Sequence, residues 1–151
     1  MQDFYLILDT LNSALKEGDF IKTVSFGDLT RIANYKRDVY ALGHIMVNSV
    51  TIEKNVVRYS ISLFAMDVVD QTKEFPIDKF RGNNCEQEIL QETLSVLTRV
   101  AARMIRGDLF DALIQIDGSP TLEPFTDRFE DVVAGWAMDF DILIPNEMSI
   151  C

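Results

Sequence analysis

The sequence predicts an α+β fold: a mainly antiparallel sheet with a long helix and an N-terminal helix packed on one face. Three observations lead to this fold class. They are an amphipathic N-terminal segment, an alternating stretch typical of a β-hairpin, and one long apolar stripe with helical spacing. The chain has 151 residues, 48% of them hydrophobic, enough to bury a core without disulfides or metal. We therefore expect a single domain over residues 1–151.

The N-terminal segment predicts an amphipathic helix, because its apolar residues recur at intervals of three and four and so share one face. These residues are Phe4, Leu8, Leu11 and Leu15. Gly18 follows and predicts a left-handed stop to the helix. Residues 20–26 then predict a short strand, and residues 28–38 predict a long loop or a short helix.

The middle of the chain predicts a β-hairpin. Residues 44–53 are rich in β-branched side chains, and residues 56–67 alternate between an apolar face and a more polar one. A period of two is typical of extended strands, and the short polar turn between the two segments joins them as antiparallel neighbours. Residues 70–83 then predict a connector that is long enough to act as an arm.

A helix of about 22 residues follows this connector and is long enough to cross one face of a small sheet. Asn84 is its predicted N-cap, with Gln87 as the capping-box partner, and Gly107 is its predicted stop. Glutamates occupy the first turn and arginines gather toward the last, which matches the helix dipole. The apolar stripe consists of Ile89, Leu90, Leu94, Leu97, Val100, Ala101, Met104 and Ile105.

The last third of the chain predicts closing strands. Residues 108–116 fit either a helical turn or a strand, and the Asp117-Gly118 pair predicts a turn. Residues 121–129 predict an extended segment that Pro124 interrupts. Residues 136–144 alternate between apolar and polar side chains, which predicts the final strand, and Pro145 ends it.

The chain is acidic, with 24 Asp and Glu against 14 Lys and Arg and a net charge of −10. Such a surface repels phosphate backbones, which disfavours a nucleic-acid reader. The N-terminus lacks the features of a signal peptide, and no stretch has the roughly 18 apolar residues of a membrane helix. We expect Cys85 and Cys151 to be reduced thiols in a cytosolic setting, since two cysteines are too few for a disulfide framework.

The sequence offers little catalytic chemistry. His44 is the only histidine. A zinc site of several histidines is therefore excluded, and a Ser-His-Asp triad would have His44 as its one candidate base. We interpret His44 as an ordinary polar residue at the start of a strand. Asp139 and Asp141 lie about 7 Å apart on one strand face, and we interpret them as a solvated face in preference to a cation site. We therefore expect no catalytic, cofactor-binding or metal-binding residues, and no enzyme.

Two charge clusters of opposite sign form the predicted partner interface. The basic cluster is Arg31, Lys36 and Arg37, and the acidic cluster is Asp127, Glu130 and Asp131. In an acidic chain, the basic cluster is better suited to ion pairing with an acidic neighbour than to nucleic acid. We therefore expect the two clusters to meet between adjacent copies.

The closing block over residues 124–145, PFTDRFEDVVAGWAMDFDILIP, resembles the C-terminal segment of small structural proteins of tailed bacteriophages. These proteins are the tail terminator, tail completion and head–tail connector ring proteins. The resemblance implies an N-terminal helix leading into a sheet, a hairpin, a second long helix and a final pair of strands. It also implies that this chain has no catalytic or cofactor-binding residues.

The function implied by this resemblance is structural. The chain would form a ring homo-oligomer at the neck or head-proximal end of the tail, in the virion. Its partners would be other copies and neighbouring neck, portal or tail proteins, with no membrane involved. DNA would pass through the ring without specific binding.

Two other classes of function stay open on the sequence. The first is a cellular acidic adaptor or chaperone-like binding protein without catalytic activity. The second is an enzyme that uses His44 or the pair Asp139 and Asp141. The genes that flank this one would distinguish the virion protein from the cellular adaptor.

Overall fold

The computed structural model describes residues 3–28, 40–69, 77–81, 85–106, 115–126 and 133–145. Within them lie two helices, α1 (Asp3–Lys16) and α2 (Glu86–Arg106), and five strands, β1 (Thr23–Phe26), β2 (Leu42–Ile52), β3 (Val56–Val68), β4 (Gln115–Thr126) and β5 (Val133–Pro145). The strands form one sheet in the order β1-β2-β3-β5-β4, in which β1 and β2 are parallel and the other neighbours antiparallel. The predicted α+β fold is confirmed.

Helix α1 packs on the sheet through one face, as its apolar spacing predicts. Ile7, Leu11 and Leu15 are almost fully buried in the main core. The buried face differs from the predicted one at its start, because Phe4 is 37% exposed and Ile7 takes the inward position. Gly18 follows with a φ of 84°, the left-handed conformation predicted to end the helix.

Strand β1 is shorter than the predicted strand over residues 20–26.

Three further segments of the sequence have little described structure. The predicted loop or short helix over residues 28–38 and the predicted connector over residues 70–83 fall largely outside the described residues. The same is true of the ambiguous stretch over residues 108–116, of which only the last two residues are described, at the start of β4.

Strands β2 and β3 form the predicted hairpin. At its turn, the N–H of Glu53 donates to the carbonyl of Val56 at 2.8 Å. The pairing shifts once, between Val47 and Ser49. Strand β3 lies in the centre of the sheet, between β2 and β5, and its residues 61–66 are all buried. Both faces of β3 therefore contribute to packing.

Helix α2 covers the same face of the sheet as α1 and forms the main core with β3 and β5. Its buried stripe includes Val96, Leu97, Val100 and Met104, which follow the helical spacing. The predicted stripe is too long at its C-terminal end, because Ile105 is 62% exposed. Glutamates in the first turn and arginines in the last are confirmed.

The predicted ends of α2, Asn84 and Gly107, lie outside the described residues. The side chain of Gln87, the predicted capping-box partner, contacts the preceding segment. Its Nε2 donates to the carbonyl of Phe80 at 2.7 Å, and its Oε1 accepts from Arg81 at 2.9 Å. Gln87 therefore attaches the segment before α2 to the first turn of the helix.

The predicted turn at Asp117 and Gly118 is wrong, because β4 runs through both residues. The pairing of β4 with β5 shifts between Asp117 and Thr121, and Gly118 has a φ of 73° within this irregularity. Such a bulge accommodates extra residues without ending the strand. Strand β4 then continues to Thr126 through Pro124, which a sheet tolerates because β4 is an edge strand.

The two faces of the sheet differ. Helices α1 and α2 cover one face, which we call the helix face. The opposite face carries a smaller apolar cluster that includes Leu42, Phe64, Met66 and Phe125. The rings of Phe64 and Phe125 meet edge to face, with centroids 6.2 Å apart. The sheet is therefore packed on both sides.

Candidate functional site

All six residues of the predicted partner interface lie outside the described residues. They are Arg31, Lys36, Arg37, Asp127, Glu130 and Asp131. The predicted meeting of the two clusters between copies stays a prediction. The described surface nevertheless has features that bear on association, and these lie around β1, β2 and the start of α1.

The first feature is a group of exposed aromatic and aliphatic side chains, which we call the apolar corner. It consists of Phe4, Tyr5 and Leu6 from the start of α1 and Phe26 from the end of β1, each between 37% and 70% exposed. The ring of Phe4 lies edge-on to the rings of Tyr5 and Phe26, at centroid distances of 6.2 and 6.3 Å. Large apolar side chains exposed together are typical of interaction surfaces.

Strand β1, beside this corner, is fastened to the sheet by the buried His44. The Nδ1 atom of His44 lies 2.6 Å from Oγ of Ser25, and its Nε2 lies 2.8 Å from the carbonyl oxygen of Gly27. A carbonyl can only accept, so Nε2 carries the proton and Nδ1 accepts from the Ser25 hydroxyl when the ring is neutral. The imidazole is fully buried, with 0% exposed. His44 of β2 thus contacts the C-terminal end of β1 at Ser25 and the residue that follows the strand, Gly27.

The second exposed feature is the C-terminal half of β2, which β1 does not cover. Strand β1 pairs only with residues 42–45 of β2. Residues 48–52, which we call the β2 overhang, are all exposed, with Val50 at 46% and Ile52 at 71%. The overhang therefore presents a strand edge and apolar side chains together.

The face opposite the helices carries a polar strip that includes the two predicted aspartates. Asp141 lies 3.4 Å from Arg58, which also pairs with Asp117. Asp139 accepts a hydrogen bond from the hydroxyl of Ser62. Hydrogen bonding to Asp117, more than the other nearby charges, raises the pKa of Arg58. Each aspartate therefore has its own protein partner.

No group of three or more His, Cys, Asp or Glu side chains is arranged to hold a metal ion in the described parts of the chain. The interpretation of Asp139 and Asp141 as a solvated face agrees with the exposure of Asp139. Asp141, in contrast, is half-buried. The two aspartates and the fully buried imidazole of His44 therefore all make contacts within the folded protein.

A cleft of about 610 Å³ lies at the start of α2. Its lining includes Asp67, Arg81 and the exposed Cys85. Burial raises the pKa of Asp67, and the hydrogen bond from the N–H of Val68, 2.8 Å long, opposes that rise. The folded chain therefore holds a proton on Asp67 more readily than an unfolded chain does.

Asp67→Asn is expected to raise the melting temperature at neutral pH. The ionised carboxylate of the folded chain is partly desolvated there, whereas Asn is neutral and keeps an oxygen that accepts from Val68. Below the ordinary pKa of 3.8, Asp67 is protonated in both states, so the advantage of Asn should disappear. Melting curves across this pH range test this, with the exposed Asp9→Asn as the control. A difference that is constant with pH would contradict the expectation.

The apolar corner was not predicted from the sequence. Its signal was present, since Tyr5 and Leu6 are apolar residues outside the predicted helical stripe, so residues 4–8 are apolar around the whole helix. A surface helix normally has a polar outer face. Excess apolar residues on the outer face therefore indicated a contact surface.

None of the helices in the described residues is long and apolar enough to span a membrane. Compared with models of known protein families, the chain matches none of them. A comparison with curated protein sequences likewise gives no match.

Proposed function

We propose that this protein is a non-catalytic structural subunit of a tailed bacteriophage virion, which forms a ring with copies of itself. The ring would lie at the neck or at the head-proximal end of the tail, as a terminator, completion or connector ring. The proposal starts from the resemblance of residues 124–145 to such proteins. The order of elements supports it, because an N-terminal helix, a hairpin, a long helix and two closing strands follow one another.

One observation carries the proposal: among the exposed large apolar side chains of the described surface, two separate and unlike groups, the apolar corner and the β2 overhang, lie along β1 and β2. Phe26 of the apolar corner lies beside Ile45 of β2, and Ile52 of the β2 overhang lies seven residues farther along that strand. At the rise of an extended strand, this is roughly 23 Å. A head-to-tail contact joins two unlike surfaces, and it closes into a ring when the rotation between neighbours permits.

The acidity of the chain is consistent with a ring around DNA. Carboxylates on a channel wall repel phosphates, which reduces adhesion as DNA passes. The net charge of −10 provides such carboxylates in excess. Neighbouring neck, portal or tail proteins would dock on the remaining surfaces of the ring.

Electron microscopy of the purified protein at high concentration tests the proposal. We expect closed rings with one subunit number. Ile52→Glu in the β2 overhang should abolish the rings while the circular dichroism spectrum stays unchanged. Ile105→Glu is the matched control, since Ile105 is also exposed but lies on α2, away from both apolar surfaces.

Two outcomes would count against the proposed function. The first is wild-type protein that forms no closed assembly, alone or with the proteins of its neighbouring genes. The second is a gene without portal, capsid or tail genes beside it, which would favour the cellular adaptor.

A further inference from the structure

We infer that a second copy of this chain docks at the start of α2, where each copy inserts an exposed turn into the cleft of the other. The exposed turn consists of residues 77–81, and the cleft is the one of about 610 Å³ that Asp67 and Cys85 line. Arg81 belongs to both, so the turn and the cleft adjoin in each copy. Because they adjoin, one two-fold axis between two copies makes both contacts at once. The contact uses no residue of the apolar corner or the β2 overhang, so it goes beyond the proposed ring and does not depend on it.

The exposed turn carries two large apolar side chains. Ile77 is 105% exposed and Phe80 is 76% exposed, the two highest values among the large apolar residues that the structure describes. A single exposed apolar side chain is ordinary on a protein surface. Two within five residues form a local apolar projection, which is typical of a site that contacts another protein.

Hydrogen bonds order the exposed turn in the single chain. Oδ1 of Asp78 accepts from the backbone N–H groups of Phe80 and Arg81, at 3.0 and 3.4 Å. The side chain of Gln87 in α2 binds the carbonyl of Phe80 and the guanidinium of Arg81. That guanidinium also lies 5.6 Å from the centroid of the Phe80 ring. A turn that is already ordered loses little conformational freedom on docking, which favours association.

The cleft has the size and the apolar lining to receive an aromatic side chain. Its volume of about 610 Å³ lies within the range of pockets that hold a small organic molecule, roughly 300–1,000 Å³. The half-buried Phe20 and the buried Ile89 supply apolar surface in its lining. Aromatic rings that fill such pockets contribute most to the stability of protein interfaces. Phe80 of a second copy is therefore a suitable occupant.

The turn and the cleft are also complementary in charge. The described lining of the cleft contains three carboxylates, those of Asp67, Glu88 and Glu92, against one cation, Arg81. Glu88 and Glu92 are exposed and lie one helical turn apart, so they share one side of α2. The turn of a second copy would bring the exposed Lys79 to these carboxylates. One chain thus provides both the projection and the matching cleft, which favours a second copy as the occupant.

Sedimentation equilibrium tests the docking, and the Ile52→Glu variant is the starting protein because it lacks the proposed head-to-tail contact. We expect this variant to behave as a monomer–dimer system. A salt concentration of about 0.15 M screens the general repulsion between two acidic chains, whereas charge pairs in contact are screened much less. Circular dichroism checks that every variant folds.

A charge exchange tests the pairing of Lys79 with the two glutamates. Lys79→Glu brings a carboxylate to the carboxylates of the partner, and Glu88→Lys with Glu92→Lys brings amines to Lys79. Each of these proteins alone should dimerise at least about tenfold more weakly than the starting protein. An equimolar mixture of the two should form a heterodimer close to the starting affinity, because the mixed pair has opposite charges in both of its contacts.

A second pair of variants tests the apolar contact without any change at the three charged positions. Phe80→Asp should abolish the dimer, because it replaces the ring with a carboxylate beside an acidic cleft. Ile105→Asp is the matched control, since Ile105 is 62% exposed but lies in the last turn of α2, and it should leave the dimer intact.

Three outcomes overturn the inference. The first is a starting protein that stays monomeric up to about 100 µM, a weak limit for a specific interface. The second is a mixture of the charge variants that dimerises no better than either variant alone. The third is an Ile105→Asp variant whose dimer is weakened as much as that of Phe80→Asp.

The outcome for the dimer is distinguishable from the outcome for the proposed ring. A dimer that obeys the charge exchange, in a protein whose wild type forms no closed ring, would overturn the proposed function alone. Closed rings of the wild type, together with an Ile52→Glu variant that stays monomeric, would overturn the inference alone.

Discussion

Gly135→Ala is expected to destabilise the fold by about 3 kcal/mol or to prevent folding. Gly135 of β5 lies opposite Met66 of β3, in the centre of the sheet. A Cβ at this position would collide with the carbonyl oxygen of Ala65 and would lie 2.8 Å from the Cα of Met66. Both are backbone atoms, so the longest strand pairing of the sheet would have to separate.

Gly43→Ala is the matched control, because Gly43 is also a buried strand glycine. A Cβ there would meet the ends of two side chains, Cδ1 of Leu15 at 3.2 Å and Cγ2 of Ile21 at 3.3 Å. Side-chain ends move at low cost, so we expect a loss of at most about 1 kcal/mol. Urea unfolding measures both free energies. Equal losses in the two variants would show that the backbone collision at Gly135 is not the cause.

Trp136→Ala is expected to destabilise the protein by about 3 kcal/mol. The indole of Trp136 is half-buried against the main core, and its Nε1 donates to the carbonyl of Leu90 in α2 at 2.9 Å. It is the only tryptophan and connects β5 with the first half of the long helix. Its removal takes away both apolar packing and a donor for a helix carbonyl.

Trp136→Phe separates these two contributions, since it keeps most of the ring and loses the donor. We expect it to cost about 1 kcal/mol, the ordinary value of one hydrogen bond. Unfolding must be followed by circular dichroism, because both variants lack the fluorescent side chain. A loss in Trp136→Phe as large as in Trp136→Ala would show that packing contributes little.

Much of the fold was predictable because its residues follow simple periods. The hairpin, the last strand and the long helix each have a repeated apolar pattern, and in each the buried side chains are mostly those of the pattern. The exceptions have local causes. Ile105 continues the stripe of α2 but is exposed, and Asp117 with Gly118 has turn chemistry but lies in a bulge. Whether such residues form a turn or a bulge depends on the neighbouring strands, and a local sequence pattern carries no information about those strands.

The candidate site was less predictable for a physical reason. Its parts are the apolar corner and the β2 overhang, and each depends on which side chains the packing of the described elements leaves exposed. Which strand ends a sheet depends on the order of strands in space. The parallel placement of β1 beside β2 was not evident from residues 20–26. The contacts of His44 were not predictable for the same reason, since its position at the start of a strand did not show that its imidazole bridges Ser25 and Gly27.

The prolines and the bulge of β4 limit how far the chain can polymerise through its backbone. Strand β4 forms one border of the sheet in the described residues. This border lacks the regular row of donors on which amyloid-like stacking relies. Addition of a further strand at β4 is therefore disfavoured, and association at this border requires contacts between side chains.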